Sequence, residues 1–475
     1  MRNLLKLVCI ACCVACCVLQ AGVAVADERD DEIFGATNDG KEKKVADREA
    51  EMFGEEPATQ KREDAIFGEK PKAASGQQLK APSFDLEKKL IDLGTDRLQL
   101  GGLLYLRFNW NFTNGDELVD HPISMPNLVD LYFDGRPNDR VRGFVRGRLL
   151  WDPTVDDADP LVQMSGRSSV DVRLDELWLK FDIARFVYVT IGQQKVRWGA
   201  THFWNPIDVI NRSQRELLSF FDDRSGVPLV KLHIPVESLG WNFYILGMLD
   251  RVTSLDKGGI AGRAEFVFST IELGLTGAYR DDIDPRVGLD FSAGIWNFDL
   301  TAELGLAFDS RFEDKVAVQL AAGLQYTFSV FDDDMLIIGA EYFFNKEGKD
   351  EINPLDLFSG EAQFFYAGRH YASLFAALPA PGRLDDWSFT FSTIGNLSDR
   401  SFVARLDLSV KVLTYLTIQG YLAAHFGKQG ELRLGDQAFP EEVRDVARAL
   451  FSPDDPTQPI PSQQLDLGLW LRVDL

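Results

Sequence analysis

From Leu98 onward apolar and polar residues take turns along the chain. Leu98, Leu100, Gly102, Leu104, Leu106, Phe108, Trp110 and Phe112 share one parity; Gln99, Gly101, Arg107, Asn109 and Asn111 share the other. Successive side chains of a strand point to opposite faces, so the run reads as a strand with one apolar and one polar face. Similar runs lie near 127–134, 139–151, 170–182, 186–196, 226–236, 240–250, 258–268 and 270–280. They continue near 286–295, 298–309, 314–328, 334–345, 369–378, 386–395, 400–412, 415–427 and 463–475. In the last run Leu465, Leu467, Leu469, Leu471, Val473 and Leu475 alternate with Asp466, Gly468, Trp470, Arg472 and Asp474. Together these runs predict an all-β fold over 86–475, a transmembrane antiparallel β-barrel of about 16–18 strands with a disordered N-terminal tail.

The links between the runs sort by length. Short ones fall at 135–138, 183–185, 237–239, 269, 296–297, 329–333 and 413–414, and longer polar ones at 113–126, 152–169, 197–225, 346–368 and 428–462. Short turns at one end and long loops at the other is the layout of bacterial outer-membrane barrels. Trp110, Phe112, Trp151, Trp241, Phe308, Phe328, Phe344 and Trp387 stand at strand ends, where interfacial aromatic girdles are expected. A soluble propeller or sandwich also has many short strands but does not account for the final alternating run.

The N-terminal part has a different character. Arg2 and Lys6 precede an apolar stretch from Leu7 to Ala26 that ends in Ala24-Val25-Ala26, the pattern of a cleavable secretory signal over 1–26. All five cysteines lie within it (Cys9, Cys12, Cys13, Cys16 and Cys17), so disulfides and thiolate chemistry are not expected after cleavage. Residues 27–85 are dense in charge and poor in apolar residues, a composition that buries no core and predicts an acidic disordered periplasmic tail. Within it an acidic-apolar-Phe-Gly unit recurs at Phe34, Phe53 and Phe67. The repeats suggest multivalent docking to a periplasmic protein, or else simple drift in a linker. Residues 84–93, with Leu86, Leu90, Ile91 and Leu93, suggest a short helical stretch ahead of the barrel.

The formal charge of −23 argues against nucleic acid, whose phosphates it would repel. The histidines His121, His202, His233, His370 and His425 are scattered and fall in no metal-ligand or hydrolase spacing. No cofactor and no metal are expected. Dispersed rim residues forming a hydrolase are the least favoured alternative.

Two features point into the lumen. Arg140, Arg142, Arg146 and Arg148 share one face of their strand, opposite Val141, Val145, Leu149 and Trp151. An arginine at the bilayer midplane costs about 2–4 kcal/mol, so these residues are expected to line the pore, with Arg405 and Lys411 in the same phase of a later strand. Two arrangements remain open. One is an unpaired basic strip that attracts anions; the other is an internal ion-pair network with Asp171, Glu272, Asp290, Glu303 or Glu341 as partners. The second feature is the segment Arg197-Trp198-Gly199 continuing to Phe203-Trp204-Asn205-Pro206-Ile207-Asp208. Trp198, Phe203 and Trp204 are too large to leave in water, and Asn205 and Asp208 can hold local backbone groups. These five residues are expected either to fold inward and narrow the pore or to pack as a rim loop.

The strand running into Arg-Trp-Gly and then aromatic-Asn-Pro-x-Asp is similar to a feature of porin-like and alginate-exporter-like outer-membrane proteins. Asp466, Gly468, Leu471 and Val473 resemble the C-terminal assembly signal of such barrels, although the chain ends in Leu475 where the family usually has Phe. The resemblance implies a channel in the outer membrane that passes small polar or anionic solutes, with membrane lipid as its surroundings. An exporter or a scaffold barrel working through the tail is the alternative.

Overall fold

In the computed structural model the described residues are 97–475, apart from 115–120, 159–161, 163–167, 211–224, 251–257, 281–282, 309–315, 331–333, 351–352, 359–362 and 452–454. The expected signal, the tail with Phe34, Phe53 and Phe67, and the helical stretch at 84–93 lie outside them.

The strands run β1 (Leu98–Thr113), β2 (Ile123–Ser124), β3 (Asn127–Asn138), β4 (Val141–Trp151), β5 (Val170–Ile183), β6 (Val187–Gln194) and β7 (Val227–Val236). They continue with β8 (Trp241–Met248), β9 (Gly259–Phe268), β10 (Ile271–Arg280), β11 (Ile283–Ile295), β12 (Phe298–Ala307) and β13 (Ala317–Val330). The set ends with β14 (Asp334–Asn345), β15 (His370–Pro379), β16 (Trp387–Asn396), β17 (Ser401–Leu413), β18 (Leu416–Gly427) and β19 (Gln463–Asp474). Each pairs antiparallel with its chain neighbour, and β1 closes the sheet on β19 from Leu103↔Asp474 to Phe112↔Leu465. The two-residue β2 continues the line of β3 along β1, which gives a closed barrel of 18 strands. Closure satisfies every ladder and leaves no edge, the condition for crossing hydrocarbon with strands.

The alternation sets the two faces. Leu131, Phe133, Leu149, Leu177, Leu275, Leu324, Leu374, Phe391, Leu406, Leu422 and Leu469 are large, apolar and exposed on the outside. So continuous an apolar surface is intolerable in water and natural in a bilayer. The opposite parity carries Asp130, Arg148, Glu176, Arg263, Asp290, Glu303, Glu341 and Asp407, all buried inside.

A strand boundary and a register depart from the pattern-based expectation in ways that bear on the lumen. The expected turn at 135–138 is strand, with a register shift between Gly135 and Asn138, and the chain reverses only at 139–140. Arg136, Pro137 and Asn138 are exposed at the water end, where no lipid face enforces a pattern. In β5 a bulge sets Arg146 opposite Glu176 and Gly147 opposite Leu174. The extra residue, Asp175, is wholly buried beside Glu176.

The loop end is structured. The link after β14 contains the one-turn helix α1 (Pro354–Phe358), and the link after β18 contains α2 (Glu441–Phe451). Ala438, Phe439, Ala447 and Ile460 form a small core with Leu355, Leu434, Val443 and Phe451, so the two links pack on each other.

Candidate functional site

Beyond Gln194 the chain leaves the wall. Glu303 is on β12 and Glu341 on β14, roughly opposite β6 in the sheet order, and residues 201–205 reach both carboxylates. Glu341 accepts the backbone N–H groups of His202 (2.8 Å), Phe203 (3.1 Å) and Trp204 (2.7 Å). Glu303 accepts the N–H and hydroxyl of Thr201 (2.8 and 2.6 Å) and the amide of Asn205 (3.0 Å). A segment that starts on β6 makes these contacts only by crossing the lumen.

The aromatics fix the crossing. Trp198 and Trp204 are fully buried, and Phe203, Asn205, Ile207 and Asp208 nearly so. The Trp204 ring stacks on Phe343 of β14 (centroids 5.6 Å apart, 7° between planes), and its indole N–H donates to the carbonyl of Phe365 (2.8 Å). The Tyr366 hydroxyl accepts the N–H of Asn205 (3.2 Å). Two glycines make room on the wall: a Cβ at Gly288 would stand 2.5 Å from Ile207, and one at Gly305 would stand 2.9 Å from the Pro206 carbonyl. Trp198, Phe203, Trp204, Asn205 and Asp208 thus all lie buried in the segment that runs from β6 to β12 and β14. Sequence reading weighed Glu303 and Glu341 only as partners for arginine; a carboxylate in a strand gives no sign that its partner is a loop backbone.

A third carboxylate joins the loops. Glu431, in the link after β18, accepts the Tyr371 hydroxyl (2.6 Å), the Asn396 amide (2.8 Å) and the N–H of Phe365 (2.5 Å). Burial pushes its carboxyl up to about 7 against the pull of those donors, and nearby Asp399 adds to the rise. The segments at 195–208, 346–369 and 428–462 are thus tied together by buried polar contacts.

The basic strip is paired. Arg148, with no exposed side-chain surface, lies between Asp130 (2.7 Å) and Asp175 (3.5 Å). Arg142 meets Asp134 (2.9 Å), Arg146 meets Glu176 (3.1 Å) and Arg405 meets Asp407 (2.7 Å). Arg140 falls in the 139–140 turn and meets Asp182 (2.6 Å). Lys411 is on the same inward phase of β17, at its turn end. The carboxylates that meet the β4 arginines, Asp130, Asp134, Asp175 and Glu176, are on the neighbouring strands β3 and β5, whereas the sequence suggested Asp171 of β5 and carboxylates of later strands. Side-chain exposure then separates the members: 23% for Arg142 and 25% for Arg146, against zero for Arg148. Arg142 and Arg146 also lie against the aromatic slab Trp178–Phe144–Tyr132, whose rings stack at 5.3 and 5.8 Å.

No family model matches the chain, and no curated protein matches it. Solved structures do. OccK11 (OpdR) of Pseudomonas aeruginosa matches with a TM-score of 0.50 at 10% identity, over 80% of this chain and 96% of that one. The fold is that of an outer-membrane porin. OccK2 (OpdF) of the same organism, solved with glucuronate, matches with a TM-score of 0.50 at 13% identity, over 80% and 98%. A BenF-like porin of Pseudomonas fluorescens Pf-5 matches with a TM-score of 0.50 at 12% identity, over 80% and 99%. What this barrel has in common with them is architecture.

Proposed function

We propose that the chain is a passive, weakly selective channel for small polar and anionic solutes across the outer membrane. The observation that carries this reading is a closed barrel with a charged inner wall, part of which solvent reaches, narrowed by a segment pinned to one side. Residues 201–207 press on β11 to β16, so the remaining passage runs along β3 to β5, where Arg142 and Arg146 are partly exposed. Their neutralised pairs give a small anion preference, since only the unscreened remainder of each field acts on a solute. One structural neighbour is a BenF-like porin, and another, OccK2, was solved with glucuronate.

A hydrolytic role finds no support in the described residues. Both ring nitrogens of His425 are engaged, by Asp466 and the Leu432 carbonyl, and His233 and His370 meet Asn242 and Tyr342. None is set against a serine in a base–nucleophile pair.

Liposome swelling tests the proposal. Vesicles carrying the purified protein should take up glucose and glucuronate, with glucuronate a few-fold faster at low salt and the two nearly equal at high salt. Vesicles impermeable to both, with the barrel correctly assembled, would refute it.

A further inference from the structure

His202 is the one exposed residue of the crossing segment: from Lys195 to Ile210 every other residue is buried or partly buried. The local anchoring explains the exception. The N–H groups of His202, Phe203 and Trp204 all donate to Glu341 of β14, and the rings of Phe203 and Trp204 enter the aromatic core with Phe343 and Tyr371. The His202 ring instead lies on Phe375 (centroids 4.8 Å apart, 23° between planes) and meets Phe203 edge-on (4.8 Å, 84°).

Phe375 is in phase with the buried Tyr371 and Ser373 of β15, so it points inward. Its ring spreads across Gly339, its ladder partner on β14, where a Cβ would overlap it. The seat of the imidazole is therefore the inner wall of a closed barrel, and the solvent that reaches His202 is lumen water. The charged groups around it are already engaged. Glu341 takes the three N–H groups, Glu303 on β12 takes Thr201 and Asn205, and Lys195 on the segment itself meets Asp175 (2.9 Å). Asp208 is buried and accepts the N–H of Ile210 (3.4 Å). Among the described residues, the inward phases of β13, β15 and β16 carry no charged side chain.

We propose that His202 is the residue of the constriction that sets its charge preference. Imidazole is the side chain whose charge changes between about pH 5 and pH 8. When it is neutral, selectivity rests on the partly exposed Arg142 and Arg146. When it is protonated, a cation stands on the roughly opposite wall as well, and small carboxylates pass between positive charges on two sides. The stack on Phe375 tolerates both forms, since a cation is attracted to the face of a ring. A charge in a narrowing acts on solute at close range, where salt screens it least. The inference rests on the channel reading and adds to it the group that tunes the passage.

The test measures reversal potentials of the purified full-length protein in a potassium chloride gradient at about pH 7.5 and about pH 5.5. The anion-to-cation permeability ratio of the wild type should rise about twofold on acidification. In His202→Gln it should stay level, and in His202→Lys it should stand at the higher value at both pH values. A His202→Gln channel that keeps the rise would assign it to another group, such as Glu431, and overturn the proposal. So would a wild type whose selectivity ignores pH. The backbone N–H groups hold the segment, so both variants should assemble; if His202→Gln does not, the level, high ratio expected of His202→Lys still decides. A folded barrel that conducts nothing removes the channel reading itself, whereas a conducting one with pH-blind selectivity removes only the role of His202.

Discussion

Arg146 and Arg148 are two residues apart on one face of β4, yet they have different work. Arg148 is buried between Asp130 and Asp175, so Arg148→Gln strands Asp130 and leaves Asp175 to Lys195 alone (2.9 Å). Breaking a buried pair in this way costs about 3–5 kcal/mol. The expected result is a clear drop in the temperature at which the folded band is lost on semi-native gels. Arg146 is a quarter exposed; Arg146→Gln should leave that temperature nearly unchanged and reduce the preference for glucuronate over glucose instead. Glu431 titrates in the opposite sense to a paired surface acid. Its carboxyl is raised to about 7 by burial, so the contact it makes is at full strength below the ordinary glutamate range and fades as pH rises through about 7. Current fluctuations from loosened loops should therefore grow between about pH 5 and pH 9, and Glu431→Gln should flatten that dependence. Of these roles, only the inward direction of the arginines was legible in the sequence. The pairing geometry rests on cross-strand register and on the Asp175 bulge, and alternation alone reveals neither.

At the scale of elements, the segment at 195–208 is held by two independent devices. One is the set of hydrogen bonds to Glu341 and Glu303; the other is the flat seat that Gly288 and Gly305 provide. Glu341→Ala leaves three backbone N–H groups without an acceptor, at about 1–3 kcal/mol each if they stay buried, so the segment should swing off the wall. Gly288→Val keeps every hydrogen bond and pushes Ile207 away by contact alone. Both variants move the segment off its wall toward the remaining passage and should lower single-channel conductance, Glu341→Ala more strongly. Unaltered conductance in both would mean that the segment does not bound the passage. The sequence announced this segment through Trp198, Phe203 and Trp204, aromatics too large for an exposed loop. It gave no hint of the docking wall, because Gly288, Gly305, Glu303 and Glu341 look like ordinary strand residues. The strands themselves were legible because lipid on one face and water on the other impose period two. Legibility fell off at Arg136–Asn138, where the strand runs past the bilayer and both faces meet water.

The molecule as a whole is a closed sheet whose last strand completes the first. Deleting Leu465–Leu475 removes the partner of both β1 and β18 and leaves two unpaired edges. That truncation should fail to give a heat-modifiable folded band, whereas variants of the crossing segment should still give one. The net acidity of the chain coexists with cations on the inner wall, so bulk charge says little about what the lumen prefers. The direct test of the channel is a planar-bilayer recording of the purified, folded protein under a salt gradient. Discrete conductance steps with a reversal potential displaced slightly toward anion preference are the predicted result. A folded barrel that inserts and yields no steps, or one that clearly prefers cations, would contradict the account.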